Sequence, residues 1–267
     1  MKKAFLAALA FTAVLFLATS CASTKQDFSP ASVTFEWQEV QNGIWRFDYK
    51  DSVFPVIYHA VKIDLTTPGL EIICIPQTPD QNTSSQRITT KKFASKYNTT
   101  VAINATPFSK ESIAGVHVSD GQVLAPPVER YAAIAFTKDE LGFKAFIFDT
   151  QTDELLQGYD YAFGGFFTVL KDSVVIDSFQ PITDSRMGAG ITADGRTLFI
   201  LAVEGEISCI SRGLSYPQCA QIFLDMGCTT ALELDGGSST QLCINGKSVL
   251  SYPVFKKPGN SIGFYTK

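Results

Sequence analysis

The densest cluster of reactive side chains lies in Ala231-Leu-Glu-Leu-Asp-Gly-Gly-Ser-Ser-Thr240, where an apolar strand stops at a carboxylate and gives way to two glycines and three hydroxyls. Asp235 stands at the mouth of a buried strand. Gly236 and Gly237 allow close approach of backbone to a ligand, and Ser238, Ser239 and Thr240 offer hydroxyls to its oxygens. An acidic group ringed by donors suits a polyhydroxylated or phosphorylated ligand. The competing reading is a tight turn in which an Asp caps its own backbone, common wherever Asp-Gly occurs.

The elements that must position these residues are mostly strands. Short runs rich in Val, Ile, Phe and Tyr alternate with turn residues at regular intervals. Five hairpins are expected: residues 56–65 with 70–75 across Thr-Pro-Gly, 131–137 with 143–149, 166–170 with 173–177, 187–193 with 196–203 across Asp194-Gly195, and the arms flanking Asn245-Gly246. Helices are few. Ser215-Tyr-Pro-Gln218 has the form of a capping box, and Cys219, Ile222, Phe223 and Met226 repeat at helical spacing until Gly227; a second helix is expected over 90–97. In both places a helix runs into a short apolar strand that ends in a polar residue, Asn104 or Asp235, so the two strand ends could converge on one cleft. The fold class expected is α+β, a strand-rich mixed sheet built of hairpins with a few packed helices.

Residues 1–20 read as an export signal: Lys2 and Lys3 precede an apolar run from Ala4 to Ala18 that is short for a membrane span. Leu17-Ala-Thr-Ser-Cys21 resembles a bacterial lipoprotein box, with Cys21 as the lipidated residue; simple cleavage to a secreted protein is the alternative. Residues 21–34 read as a polar tether and 35–267 as a single domain. Loss of residues 1–20 leaves 20 Lys and Arg against 26 Asp and Glu, which disfavours nucleic acid as a partner. Besides Cys21 the chain has Cys74, Cys209, Cys219, Cys228 and Cys243, and an exported location permits one or two bridges among the last four. No spacing matches a zinc site, and only His59 and His117 could add imidazole, so no metal or cofactor is expected.

From Lys92 to the carboxyl end the sequence resembles the phosphodiester glycosidase family. The likeness rests on Ile103-Asn-Ala-Thr-Pro-Phe108, Gly115-Val-His-Val-Ser-Asp-Gly121, Gly164-Gly165, Arg186-Met-Gly-Ala-Gly190, Asp194-Gly195 and Leu234-Asp-Gly-Gly-Ser-Ser-Thr240, in that order. Two departures stand out. Where the family commonly has Asp-Gly-Arg, this chain has Glu204-Gly-Glu206, and Ala105-Thr-Pro107 replaces glycines. The resemblance implies an exported hydrolase that cleaves a sugar-1-phosphodiester and releases the sugar, the partners being a glycosyl phosphodiester or envelope glycan and, through Cys21, the membrane.

Such chemistry needs a carboxylate near the anomeric carbon and a cation on the phosphate. Asp235 is the candidate for the first, Arg186 for the second, because guanidinium grips phosphate oxygens as a fork. Glu204 is the candidate second carboxylate. Its separation from Asp235 would distinguish a retaining geometry, about 5 Å, from an inverting one of about 6.5–9.5 Å. Asn104, Gly236, Gly237, Ser239 and Thr240 are the expected substrate-binding residues. A serine hydrolase is disfavoured by the lack of a Gly-x-Ser-x-Gly elbow. A glycan-binding or envelope-assembly lipoprotein of the same fold is the alternative function.

Overall fold

The computed structural model describes residues 33–110 and 112–267. The export signal, Cys21 and most of the tether lie outside the described residues. In chain order come β1 (Gln38–Gln41), β2 (Ile44–Asp51), β3 (Val56–Asp64), β4 (Leu70–Ile75), α1 (Thr90–Tyr97), β5 (Val101–Asn104), β6 (His117–Ser119), β7 (Gln122–Ala125), β8 (Ala133–Asp139), β9 (Gly142–Phe148) and β10 (Tyr161–Gly164). They are followed by β11 (Thr168–Lys171), β12 (Val174–Val175), β13 (Arg186–Ile191), β14 (Thr197–Val203), α2 (Tyr216–Asp225), β15 (Thr230–Glu233), β16 (Leu242–Ile244), β17 (Lys247–Ser248) and β18 (Ser261–Thr266).

The strands form three sheets, ordered β1-β2-β3-β14-β13-β15-β11-β12, β7-β6-β10-β8-β9 and β17-β16-β5-β18-β4. The α+β class stands. The sheet expected to be mixed resolves into three sheets whose ladders are antiparallel. Four expected hairpins form: β8–β9, β11–β12, β13–β14 and β16–β17. At the last, Asn245 and Gly246 both take positive φ, 50° and 72°, as a two-residue turn of that composition requires.

The fifth expected hairpin does not form. β3 pairs with β2 and β14 in the first sheet, whereas β4 crosses over to pair with β18. The reason is burial. Val61 and Ile63 of β3 and Leu70, Ile72 and Cys74 of β4 all belong to one core enclosed by the three sheets, so the two strands face each other across it instead of lying side by side. Met187, Ala189, Leu232 and Leu234 fill the same core from the centre of the first sheet.

The opposite face of that sheet carries α2. Its backbone start is satisfied by Gln218 Oε1, which accepts from Ser215 N at 2.9 Å, and it ends at Gly227, φ +96°. Gly188 and Gly190 leave β13 flat beneath the helix. A Cβ on Gly190 would lie 2.7 Å from both Phe223 Cδ1 and Cys228 Sγ. All five described cysteines are free thiols, so the expected bridges do not form; Cys219 and Cys228 pack separately in the layer under α2, Cys243 lies on β16 and Cys209 is exposed. Gly190→Ala should therefore destabilise the protein by about 1–3 kcal/mol in urea unfolding, by overpacking the α2 layer.

Candidate functional site

The strand ends at Asn104 and Asp235 do converge. Asn104 is fully buried; its Nδ2 donates to Asp235 O at 2.6 Å and its Oδ1 accepts from Gln241 N at 2.8 Å. Asp235 N donates to Ala105 O at 2.7 Å. One side-chain amide thus pins both ends of the 235–241 loop to β5. The Asn104 amide, expected to bind substrate, is here engaged with loop backbone at both of its ends.

The loop's other residues divide by position. Gly237 N donates to Ser185 O at 2.8 Å, and a Cβ on Gly236 would lie 3.0 Å from that same oxygen and 3.5 Å from Arg186 Cα. Gly236 therefore serves close packing on the start of β13, whereas Gly237 supplies a left-handed φ of +55°. Ser239 and Thr240 are buried, and Ser239 hydrogen-bonds the Asp235 carboxylate. Ser238 alone of the three hydroxyl residues is exposed, and its Oγ accepts from Lys256 Nζ at 3.0 Å.

Asp235 has a perturbed carboxyl. Burial pushes its carboxyl up to about 6, against the lowering influence of the Ser239 hydrogen bond and the Lys256 charge. Its Oδ2 and the neighbouring Thr240 Oγ1 are buried without hydrogen-bond partners. Ser238 of the same loop and Lys256 line a cleft of about 410 Å³, together with Glu206 and Tyr252 among others. Lys256 Nζ also lies 5.7 Å from the centre of the Phe108 ring.

Arg186 is placed differently from expectation. Its Nε donates to Leu214 O at 3.0 Å, its Nη2 to Ile182 O at 2.7 Å, and the guanidinium stacks 4.0 Å above the Tyr216 ring. The charge acting on Asp235 is Lys256; Arg186 acts instead on Glu233, a fully buried carboxyl raised to about 8 by desolvation. Antiparallel pairing sends Arg186 to the α2 face of β13, where it braces the 182–186 and 214–216 segments.

Glu204 is likewise committed. It is buried; its Oε1 accepts from Ser251 N at 2.9 Å and faces His59 Nε2 at 3.0 Å, while its Oε2 accepts from Ser251 Oγ. His59 Nδ1 lies 2.6 Å from Asp48 Oδ1. The chain Asp48–His59–Glu204–Ser251 crosses β2, β3 and the end of β14. Burial works against both charges, yet the mutual hydrogen bonds prevail, holding the Glu204 carboxyl below its ordinary value and His59 above it. Glu204 therefore anchors the 251–256 segment, which carries Tyr252 and Lys256 to the cleft. His117, by contrast, is pressed down to about 4 by burial and bonds Pro76 O at 2.9 Å and Asn260 at 2.8 Å, a neutral structural histidine.

Among the described residues no group of three His, Cys, Asp or Glu side chains gathers to hold a metal. Sequence reasoning missed Lys256, Tyr252 and the His59 pair. Lys256 sits in the irregular run Ser251-Tyr-Pro-Val-Phe-Lys-Lys-Pro258, which has no period to read, and the His59 contacts exist only once strand register is known.

The phosphodiester glycosidase family model matches residues 97–265, which takes in Asn104, Arg186, Glu204, Asp235 and Lys256. The chain belongs to the phosphodiester glycosidase family. No curated protein matches it. Among solved structures, a hypothetical protein from Synechocystis aligns at TM-score 0.68 with 14% identity, over 88% of this chain and 64% of that one, so this chain spans under two thirds of that neighbour. The zebrafish N-acetylglucosamine-1-phosphodiester alpha-N-acetylglucosaminidase catalytic domain, auto-inhibited by its pro-peptide, aligns at 0.65 with 17% identity, over 90% of this chain and 86% of that one. A putative exported protein from Burkholderia pseudomallei aligns at 0.63 with 14% identity, covering 78% and 74%. At these identities the likenesses establish the fold.

Two measurements follow from the site. Because the folded-state pKa of Asp235 is raised, its protonated form favours folding; that contribution is complete below about pH 4 and is lost as pH rises through about 6. Asp235→Asn should accordingly be more stable than the parent above pH 7, by on the order of 2 kcal/mol in urea unfolding, with the gain shrinking as pH falls from 6 to 4. Asn104→Ala should cost about 2–4 kcal/mol, since it leaves the buried Asp235 O and Gln241 N without their partner.

Proposed function

We propose that the protein hydrolyses a sugar-1-phosphodiester outside the cytoplasm, releasing the sugar and a phosphomonoester. The observation that supports this reading most is Asp235: a carboxyl near pKa 6 with an unpartnered oxygen, beside a lysine and a cleft, in a chain of this family. A carboxylate of that pKa is ionised at neutral pH and basic enough to accept a proton. In the proposed reaction Asp235 takes a proton from water as the water oxygen bonds to the anomeric carbon. The bond from that carbon to the phosphate oxygen breaks with its electron pair, and the phosphomonoester leaves. Phosphate is a good leaving group, so charge stabilisation matters more than protonation.

Lys256 takes the clamp role first expected of Arg186, with Ser238 beside it as a hydroxyl for phosphate or sugar. Glu204 acts at one remove, fixing the 251–256 segment. A second reading, a glycan-binding protein of the same fold without turnover, is favoured by one observation: both Arg186 and Glu204 are held in internal contacts. The lipoprotein box at Cys21 supports a lipid-anchored location in the cell envelope for either reading.

The deciding assay is release of free sugar from an α-N-acetylglucosaminyl-1-phosphodiester by the full-length protein. Turnover should fall by about 10³-fold or more in Asp235→Asn and by about 10–100-fold in Lys256→Ala, and kcat/KM of the parent should rise with pH through about 6 as Asp235 ionises. Saturable binding of the diester with no sugar released by the parent would favour the glycan-binding reading.

A further inference from the structure

A second concavity adjoins the cleft. It has a volume of about 510 Å³, within the range of small-molecule sites, and lies between α1 and the 253–255 strap. Its walls include Cys243, Pro253, Val254 and Phe255, with Lys91 and Lys92 contributing aliphatic stems and, at the rim, ammonium groups. The strap is common to both spaces, since Pro253, Val254 and Phe255 line the cleft as well. Phe255 is 81% exposed. An apolar ring left in water on the divide between a cleft and a groove is a cost to the free protein that a ligand would relieve.

The charge around this groove is one-sided. From Gln81 to Lys110 the chain has no Asp or Glu and five cations; from Gly236 to Lys267 it has none and four, although the whole protein carries 26 carboxylates against 22 Lys and Arg. These two segments pack together through α1, β5, β16, β17 and β18. Lys91 acts on the Cys243 thiol in the groove, and Lys256 lies at the cleft end of the strap. The complement of a greasy groove edged by lysines is a molecule with a hydrocarbon chain and an anionic head.

We propose that this groove binds the hydrocarbon chain of a lipid aglycone, so that the substrate is a glycosyl phospholipid whose phosphate lies at Lys256 and whose chain passes over Val254 and Phe255 towards α1. The proposal rests on the reading of the cleft as a glycosyl phosphodiester site, but binding of the chain can be measured without turnover. Gln241 joins the two spaces structurally: it lines the groove while its Nε2 donates to Ser239 O at 3.3 Å and to Lys256 O at 3.1 Å.

The test is calorimetric titration of the full-length protein with butyl phosphate, octyl phosphate and inorganic phosphate below micellar concentration, together with sedimentation on vesicles of anionic phospholipid. Octyl phosphate should bind at least about tenfold more tightly than butyl phosphate, the gain from burying part of four further methylenes. That ratio should collapse in Val254→Asn and in Phe255→Ser, the latter altering a side chain already in solvent; both changes are uncharged, so butyl phosphate should lose far less affinity than octyl phosphate. Lys91→Glu with Lys92→Glu should weaken both alkyl phosphates. Asp235→Asn should leave the chain-length ratio unchanged, which separates this proposal from failure of the hydrolytic reading. Equal affinity for butyl and octyl phosphate, or a ratio that survives both strap variants, would overturn it. So would vesicle binding without binding of monomeric octyl phosphate, since the lysine-rich face would then be a membrane-contacting surface instead.

Discussion

The site depends on one buried amide. Asn104 closes β5 and holds both Asp235 O and Gln241 N, so a single side chain couples the segment leaving β15 of the first sheet to the one entering β16 of the third. An unmet hydrogen bond in that interior would cost more than the bond itself contributes, and this asymmetry makes the arrangement specific. Everything the 235–241 loop displays is fixed from behind by this contact. Gly236 completes the constraint by letting the loop backbone lie directly on Ser185 and Arg186.

A consequence is that residues of obvious chemical promise turn inward. Arg186, Glu204, Ser239 and Thr240 are all buried, and the first two hold neighbouring segments in place. What they support is a thin set of groups: Ser238 and Lys256 at the cleft, with Asp235 in the same loop under the influence of the Lys256 charge. The polar side chains behind Asp235 limit its freedom, as the proposed reaction would require. Desolvation raises Asp235 towards neutral pH, and Lys256 offsets only part of that effect.

Electrostatic separation extends beyond the cleft. The Asp48–His59–Glu204 chain gathers carboxylates on the β2–β3–β14 side, whereas α1 and the final 32 residues bring only cations.

The sequence by itself determined the strand-rich class, four of the five hairpins and both helices, because each rests on local rules: alternation, Asn-Gly and Asp-Gly turns, capping and 3.6-residue spacing. It also brought Asn104 and Asp235 to one place, through their like positions at strand ends. Tertiary structure decided the rest. Whether β4 paired with β3 depended on a core shared by three sheets, and the direction of Arg186 depended on which face of β13 met α2. The partners of Glu204 were set by cross-strand register, and the arrival of Lys256 by an irregular segment held at Ser251. Those outcomes turn on contacts between residues far apart in the chain, 145 positions in the case of His59 and Glu204, and no periodicity within a single segment encodes them.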